Sequence, residues 1–465
     1  MSDFIDIKGW QIFLMFAYFY IFYLILTTFV MIIGAFFVFL RFRKIPVENI
    51  YSILQSNSLP DITFLSPAYN EENVIIRTVE TLLNLSYGSK KIIIINDGST
   101  DATLDLLKDR FSLERIPISS SFELKTKTIK NYFASREYPD LLVIDKENGG
   151  KADALNAGVN ACNSSHFVAT DADTIVDDIA FNRLIRPFLQ DPRTKAANSS
   201  VGVFNSSTFH ENGTLNIRFP KKLLPGYQAL EYMKSFLLEK VGVNWTRGAL
   251  VIPGPFGLFI KDVVVEIGGY DPRSIVEDQE LVTRMHAYLL SRDIDYKIAF
   301  IPDTIAWTIV PEQIDNLIKQ RLRWYKGSIE VTIDYLYMLF NPKYKSIGCF
   351  VFPMSVFEKI APVIELISYL VMIGSALIFE IDVKFALIIL LFFWLFGVFV
   401  MVFTLFVDVI AMQTYSRFID YLRYLRAALL YPFYHYILMY CRIQGFFFKR
   451  NKNYHWETAR EKRLE

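Results

Sequence analysis

The sequence predicts an α/β domain with a mostly parallel sheet, flanked by transmembrane helices. Three observations lead there. Short, continuous apolar runs alternate with helix-period segments from residue 61 to about 310, the pattern of strands buried on both faces and joined by crossover helices. Uncharged runs long enough to cross a bilayer stand at both ends of the chain,. Four of the apolar runs end in polar loops that carry acids, where open α/β sheets bind their ligands.

Composition narrows the function. A net charge of +1 and the lack of a basic aromatic stripe exclude a nucleic-acid partner,. Cys162, Cys349 and Cys441 are far apart, show no metal-ligand spacing and fit a reduced compartment without disulfides,. The histidines are scattered and form no zinc pattern.

The elements follow in order. Ile12 to Leu40 is an uncharged run, longer than the ~20 residues a membrane helix needs,. It lacks a small-residue cleavage site and reads as a retained anchor, residues 1–44,. Arg41, Arg43 and Lys44 follow it, so the positive-inside rule puts the next residues in the cytosol,. Residues 45–312 form the cytosolic domain. Its strands are Ile62 to Leu65, Ile92 to Ile95, Leu141 to Ile144 and Phe167 to Ala169. Its helices are Glu72 to Leu85, Thr100 to Arg110 and Lys151 to Ala161, with Ser99 or Thr100 as a helix cap,. Residues 313–346 read as amphipathic interface helices. Residues 347–448 hold three candidate spans: Ile360 to Phe379, Phe385 to Val407 and Ala427 to Phe448. Glu365 lies inside the first, and an intramembrane acid commonly faces a polar path or partner,. Three C-terminal crossings put the basic tail, residues 449–465, outside. Either the last segment is re-entrant or interfacial, or the positive-inside rule fails there.

The strand-end loops are Pro67-Ala68-Tyr69-Asn70-Glu71-Glu72, Asn96-Asp97-Gly98-Ser99-Thr100-Asp101, Gly149-Gly150-Lys151-Ala152-Asp153 and Asp171-Ala172-Asp173. Convergent carboxylates suit Mg²⁺ or Mn²⁺ carrying a phosphate ligand. No Gly-x-Gly-x-x-Gly follows the first strand and no Gly-x-x-x-x-Gly-Lys-Ser/Thr occurs, which excludes the usual dinucleotide and P-loop sites,.

Together with Glu277-Asp278 and Gln320-Arg321-Leu322-Arg323-Trp324, these runs resemble the family-two glycosyltransferases of GT-A fold, over roughly residues 60 to 330. The last motif is similar to that of the membrane-embedded, processive branch, the cellulose, chitin, hyaluronan and poly-N-acetylglucosamine synthases. The resemblance implies a Rossmann-like GT-A domain in which Tyr69, Glu71, Asp97, Lys151 and Asp153 bind the nucleotide sugar. It implies Asp171 and Asp173 as ligands of Mn²⁺ or Mg²⁺, and Asp278 as the general base. Gln320, Arg323 and Trp324, at i, i+3 and i+4 on one helix face, would serve acceptor and diphosphate. Arg321 falls on another face, as a lipid-headgroup or structural contact. Blander roles exist beside these. Asp97 could cap a turn, Glu277-Asp278 could cap the helical pattern Glu277 to Leu290, and Trp324 could be an interfacial anchor.

The expected activity is inverting transfer from a UDP-sugar to a growing β-linked polysaccharide, with translocation through the protein's own helices. The alternatives are a non-processive transferase that puts one sugar on a lipid carrier, and an inactive sugar-nucleotide-binding membrane subunit. The partners are the UDP-sugar donor, a polysaccharide or lipid-linked acceptor and membrane lipid; an accessory membrane subunit stays open. The expected location is the plasma (inner) membrane. A reporter fused near residue 60 or residue 340 should respond as cytosolic. An external signal at either point contradicts this topology.

Overall fold

The computed structural model describes residues 21–23, 25–36, 59–117, 123–210, 214–378 and 383–447. The basic residues after the first anchor and the basic tail lie outside the described residues, as does part of the 12–40 run. Twelve strands are named β1–β12: Ile62–Ala68, Lys90–Asp97, Leu113–Ile116, Ile129–Ser135, Leu141–Lys146, His166–Thr170, Ile175–Val176, Thr194–Val203, Thr208–Phe209, Leu215–Asn216, Phe256–Ile260 and Lys297–Thr308. Nine helices carry the argument, α1–α9: Ile75–Leu83, Thr103–Arg110, Lys151–Ala161, Leu223–Lys234, Glu277–Ser291, Ile314–Asp334, Phe352–Ile378, Val383–Val407 and Phe418–Phe446.

Ten strands form one mixed sheet in the order β3-β4-β5-β2-β1-β6-β11-β8-β12-β7. Its centre, β5-β2-β1-β6, is parallel. The chain's four expected strands are these four. Their alternate residues supply two cores. Phe64, Ile92, Ile94, Val143 and Val168 face one layer. Leu65, Ile93, Ile95, Ile144, Phe167 and Ala169 face the other, with Ala154 and Leu155 of α3 and Leu281 of α5. Burial on both faces is why these strands read as unbroken apolar runs. The register pairs Ala68 with Asn96 and Asp97 with Lys146, so the carboxyl ends lie level along one edge.

The helix after β2 starts at Thr103, and neither Ser99 nor Thr100 caps it. Asp101 does: its Oδ1 accepts the Thr103 N–H at 3.0 Å and the Thr103 hydroxyl at 2.6 Å,. Ser99 and Thr100 are used elsewhere. The Ser99 Oγ accepts the Asn70 N–H, and the Thr100 N–H donates to Asn70 Oδ1. The loops after β1 and β2 are thereby stitched together.

Two described helical stretches, Ile347–Leu370 and Leu390–Met412, are long and apolar enough to cross a membrane. The first begins ahead of the expected Ile360 and takes in Glu358 and Lys359, cleft-lining charges that interrupt the apolar run. The expected span Ala427 to Phe448 falls mostly in α9, a 29-residue helix. Tyr424, Ala428, Tyr434 and Leu438 of α9 are buried with Leu230 of α4 and Leu317 of α6. The C-terminal helix α9 and helices α4 and α6 therefore share a core.

Arg321 of α6 stands at that junction with 0% of its surface exposed. Its Nη2 donates to Glu231 of α4 at 2.7 Å, and the Tyr434 hydroxyl of α9 donates to the same carboxylate oxygen at 2.7 Å. It is a structural contact and meets no lipid headgroup. Removing one partner of a buried ion pair leaves the other uncompensated, at a cost of roughly 3–5 kcal/mol. Arg321→Met should therefore lower the unfolding midpoint in detergent sharply, and adding Glu231→Gln should recover part of the loss. A single variant as stable as the parent contradicts this assignment.

Candidate functional site

The strand-end loops, the start of α5 and one face of α6 enclose a single cleft of 2910 Å³. Tyr69, Glu71, Asp97, Lys151, Asp171, Asp173, Asp278, Gln320, Arg323 and Trp324 all line it. Ten of the eleven residues singled out from the sequence are thus brought together. Asp153 is the exception: it is 6% exposed and lies behind the glycine loop.

Asp97 ends β2 and is bound from three sides. Its carboxylate accepts Lys146 Nζ at 2.6 Å, the Gly149 N–H at 3.0 Å and the Gly150 N–H at 2.7 Å. It holds the glycine loop and caps no turn before α2. Lys146, at the end of β5 and 0% exposed, also meets Asp153 at 2.6 Å. Asp153 in turn accepts the Lys127 N–H. Gly150 sits at φ +86°, a conformation that favours glycine, and immediately starts α3,.

Lys151, the first residue of α3, reaches across the cleft. Its Nζ lies 2.5 Å from Asp171 and 3.2 Å from Glu277. Burial works against its charge, but Asp171 and Glu277 outweigh that and hold the ammonium above the ordinary lysine value,. Asp171 and Asp173 sit on a turn closed by the Thr174 N–H to Asp171 O, 3.1 Å. The Thr78 hydroxyl clamps that turn by donating to the Ala172 carbonyl.

Asp278 lies in the first turn of α5. Its oxygens accept the Gly254 N–H at 2.9 Å and the Gln279 N–H at 2.8 Å. Burial, and then the neighbouring Glu277 carboxylate, push its pKa up to about 6. Pro253 and Pro255 flank Gly254 and make a rigid wall there,. On α6, Arg321 stacks over the Trp324 ring, 4.3 Å from its centroid. The cleft continues past Trp324 between α7 and α9. There Glu365 accepts the Tyr369 hydroxyl at 2.8 Å and faces His435 Nε2 at 3.0 Å.

Two residues escaped the sequence reading as site components, and a third was read only as part of a motif. Lys146 reads as an ordinary strand end. Glu277, part of the Glu277-Asp278 motif without a role of its own, anchors Lys151. Lys240 lines the cleft with its pKa lowered to about 7 by burial, against the pull of Asp278 and Glu239. No sequence signal marks it.

The chain matches two family models, Glycosyl transferase family 2 over residues 63–236 and Glycosyl transferase family group 2 over residues 166–439. It belongs to glycosyl transferase family group 2. It is 31% identical over 278 residues to the poly-beta-1,6-N-acetyl-D-glucosamine synthase of Staphylococcus aureus strain MSSA476, covering 60% of this chain and 57% of that protein. It is 29% identical over 317 residues to the synthase of the same name from Staphylococcus epidermidis, covering 68% and 66%. The chain thus spans less than two thirds of the length of these relatives. Among solved structures it is similar to a mannosyltransferase from Pyrobaculum calidifontis in complex with GDP-Man and Mn²⁺. That match has a TM-score of 0.51 at 15% identity, over 88% of this chain and 98% of that one. The fold is GT-A.

Lys146 is the internal cation under this site. Lys146→Met leaves Asp97 and Asp153 buried without it and should cost roughly 3–5 kcal/mol in unfolding free energy. Adding Asp153→Asn should return part of that. An unchanged unfolding transition in the single variant contradicts the clamp.

Proposed function

We propose that this protein is an inverting glycosyltransferase that transfers N-acetylglucosamine from its UDP-sugar to a growing β-linked polysaccharide. The choice of sugar follows the named activity of the staphylococcal relatives. The observation that carries the reading is the single cleft: it joins the strand-end acids, the Asp278 carboxylate and an aromatic helix face, and runs on between α7 and α9.

In this reading Tyr69, Glu71 and Asp97 take the uracil and ribose, with Asp153 supporting Asp97 through Lys146. Asp171 and Asp173 would hold Mn²⁺ or Mg²⁺. Two hard carboxylate oxygens fit such an ion, which keeps few protein ligands and shares the substrate's phosphates. The Lys151 ammonium on Asp171 supports the site's appetite for positive charge. Once bound, the ion supplies charge that stabilises the leaving diphosphate.

Asp278 takes the proton of the acceptor hydroxyl as that oxygen bonds to the anomeric carbon and the bond to UDP breaks. The N–H groups of Gly254 and Gln279 fix its orientation, and its raised pKa makes it a better base while it stays mostly ionised at neutral pH,. Arg323 suits the diphosphate because its guanidinium forks and keeps its charge. Trp324 offers a flat face and an indole N–H to a sugar ring, and Gln320 stands beside it. We place the catalytic domain on the cytosolic face, where nucleotide sugars are made. The product leaves past Glu365 and His435.

The test is the pH profile of UDP release. The base must be ionised, so the rate should fall as pH drops through about 6. Asp278→Asn should lose roughly 10²–10⁴-fold in turnover with nucleotide binding largely kept. If the variant kept its turnover number and lost UDP affinity, Asp278 would be a nucleotide ligand and no base.

A further inference from the structure

The placement of Lys151 is unfavourable on two counts. It begins α3, where the helix dipole repels a cation,. Its side chain is 16% exposed, so it has lost most of its water. What holds it is a pair of carboxylates from different parts of the site: Asp171 at 2.5 Å on the donor side, and Glu277 at 3.2 Å, next in sequence to the base. Gly254 leaves room for it. A Cβ there would come within 2.8 Å of the ammonium, on the loop whose N–H holds Asp278.

We propose that Lys151 is an exchangeable counter-cation. It neutralises Asp171 until the donor arrives, is displaced by the divalent ion that accompanies the nucleotide, and is then retained by Glu277 beside the base. This inference rests on the metal reading above. A divalent ion on Asp171 takes over that carboxylate and repels the ammonium. The flexible four-carbon stem lets the ammonium move without disturbing α3. The exchange keeps carboxylates on both sides of the cleft compensated before and after donor binding. It also links donor loading to the charge around Asp278. Lys151 acts here as a positioning residue.

The measurement is Mn²⁺ binding by the purified full-length chain without nucleotide, with free Mn²⁺ read by electron paramagnetic resonance. Lys151→Met removes the competitor, so Mn²⁺ should bind tighter, on the order of tenfold. Lys151→Arg keeps a cation and should stay close to the parent. Glu277→Gln strengthens the hold of Lys151 on Asp171 and should weaken Mn²⁺ binding in the parent, yet have little effect beside Lys151→Met. Circular dichroism checks folding, with Lys151→Gln as the substitute if the methionine variant misfolds. Equal or weaker Mn²⁺ binding on removal of Lys151 overturns the exchange while leaving the metal site standing. Absence of Mn²⁺ binding by the parent, with UDP and without it, overturns the metal reading and this inference with it.

Discussion

Two lysines, one buried and one lining the cleft, compensate four carboxylates, and the site depends on that balance. A parallel sheet delivers its strand ends to one edge, so whatever acids the loops carry are brought together. Lys146 sits between Asp97 and Asp153, and Lys151 sits between Asp171 and Glu277. Carboxylates gathered this closely without cations would raise one another's pKa and lose their charge. The division of labour follows from exposure. Lys146 has no solvent contact and belongs to the framework. Lys151 lines the cleft and can be reached by ligand.

The same balance sets the proposed base apart. Among the described residues, Asp278 has backbone N–H donors and no lysine within ion-pairing distance. Burial is therefore only partly offset, and its pKa rises while the neighbouring acids keep salt-bridge partners. Environment, rather than residue type, distinguishes a base from its neighbouring carboxylates. The connection to the C-terminal helices uses another buried cation, Arg321, whose pairing with Glu231 and Tyr434 locks α6 against α4 and α9. That lock fixes the face of α6 carrying Gln320, Arg323 and Trp324.

Much of this architecture is legible in the residues, and the illegible parts have reasons. β1, β2, β5 and β6 stand out because burial on both faces demands continuous apolar runs. β8 does not: its centre, Asn198-Ser199-Ser200, is buried but polar,. The edge strand β3 and its neighbour β4 are half-polar and short of an apolar run. The strand-end acids are legible as a set through their order. Which of them faces the cleft is not, because that depends on where Lys146 lies: it draws Asp153 behind the loop. Lys240 and Lys146 look ordinary in sequence, and only packing gives them a place in the site; the motif marks Glu277 but not its hold on Lys151. The start of the first C-terminal apolar helix was obscured by Glu358 and Lys359, charges that face the cleft.

The central claim is that one cleft both transfers sugar and passes on a chain. Its most direct test is to incubate the purified, lipid-reconstituted protein with UDP-N-acetylglucosamine and Mn²⁺ or Mg²⁺, reading UDP release and product length from the same reaction. The account predicts UDP release accompanied by long, β-linked polymer, with many sugars per product molecule. A product carrying a single added sugar on a lipid carrier, at every donor concentration and with that carrier present, would contradict it.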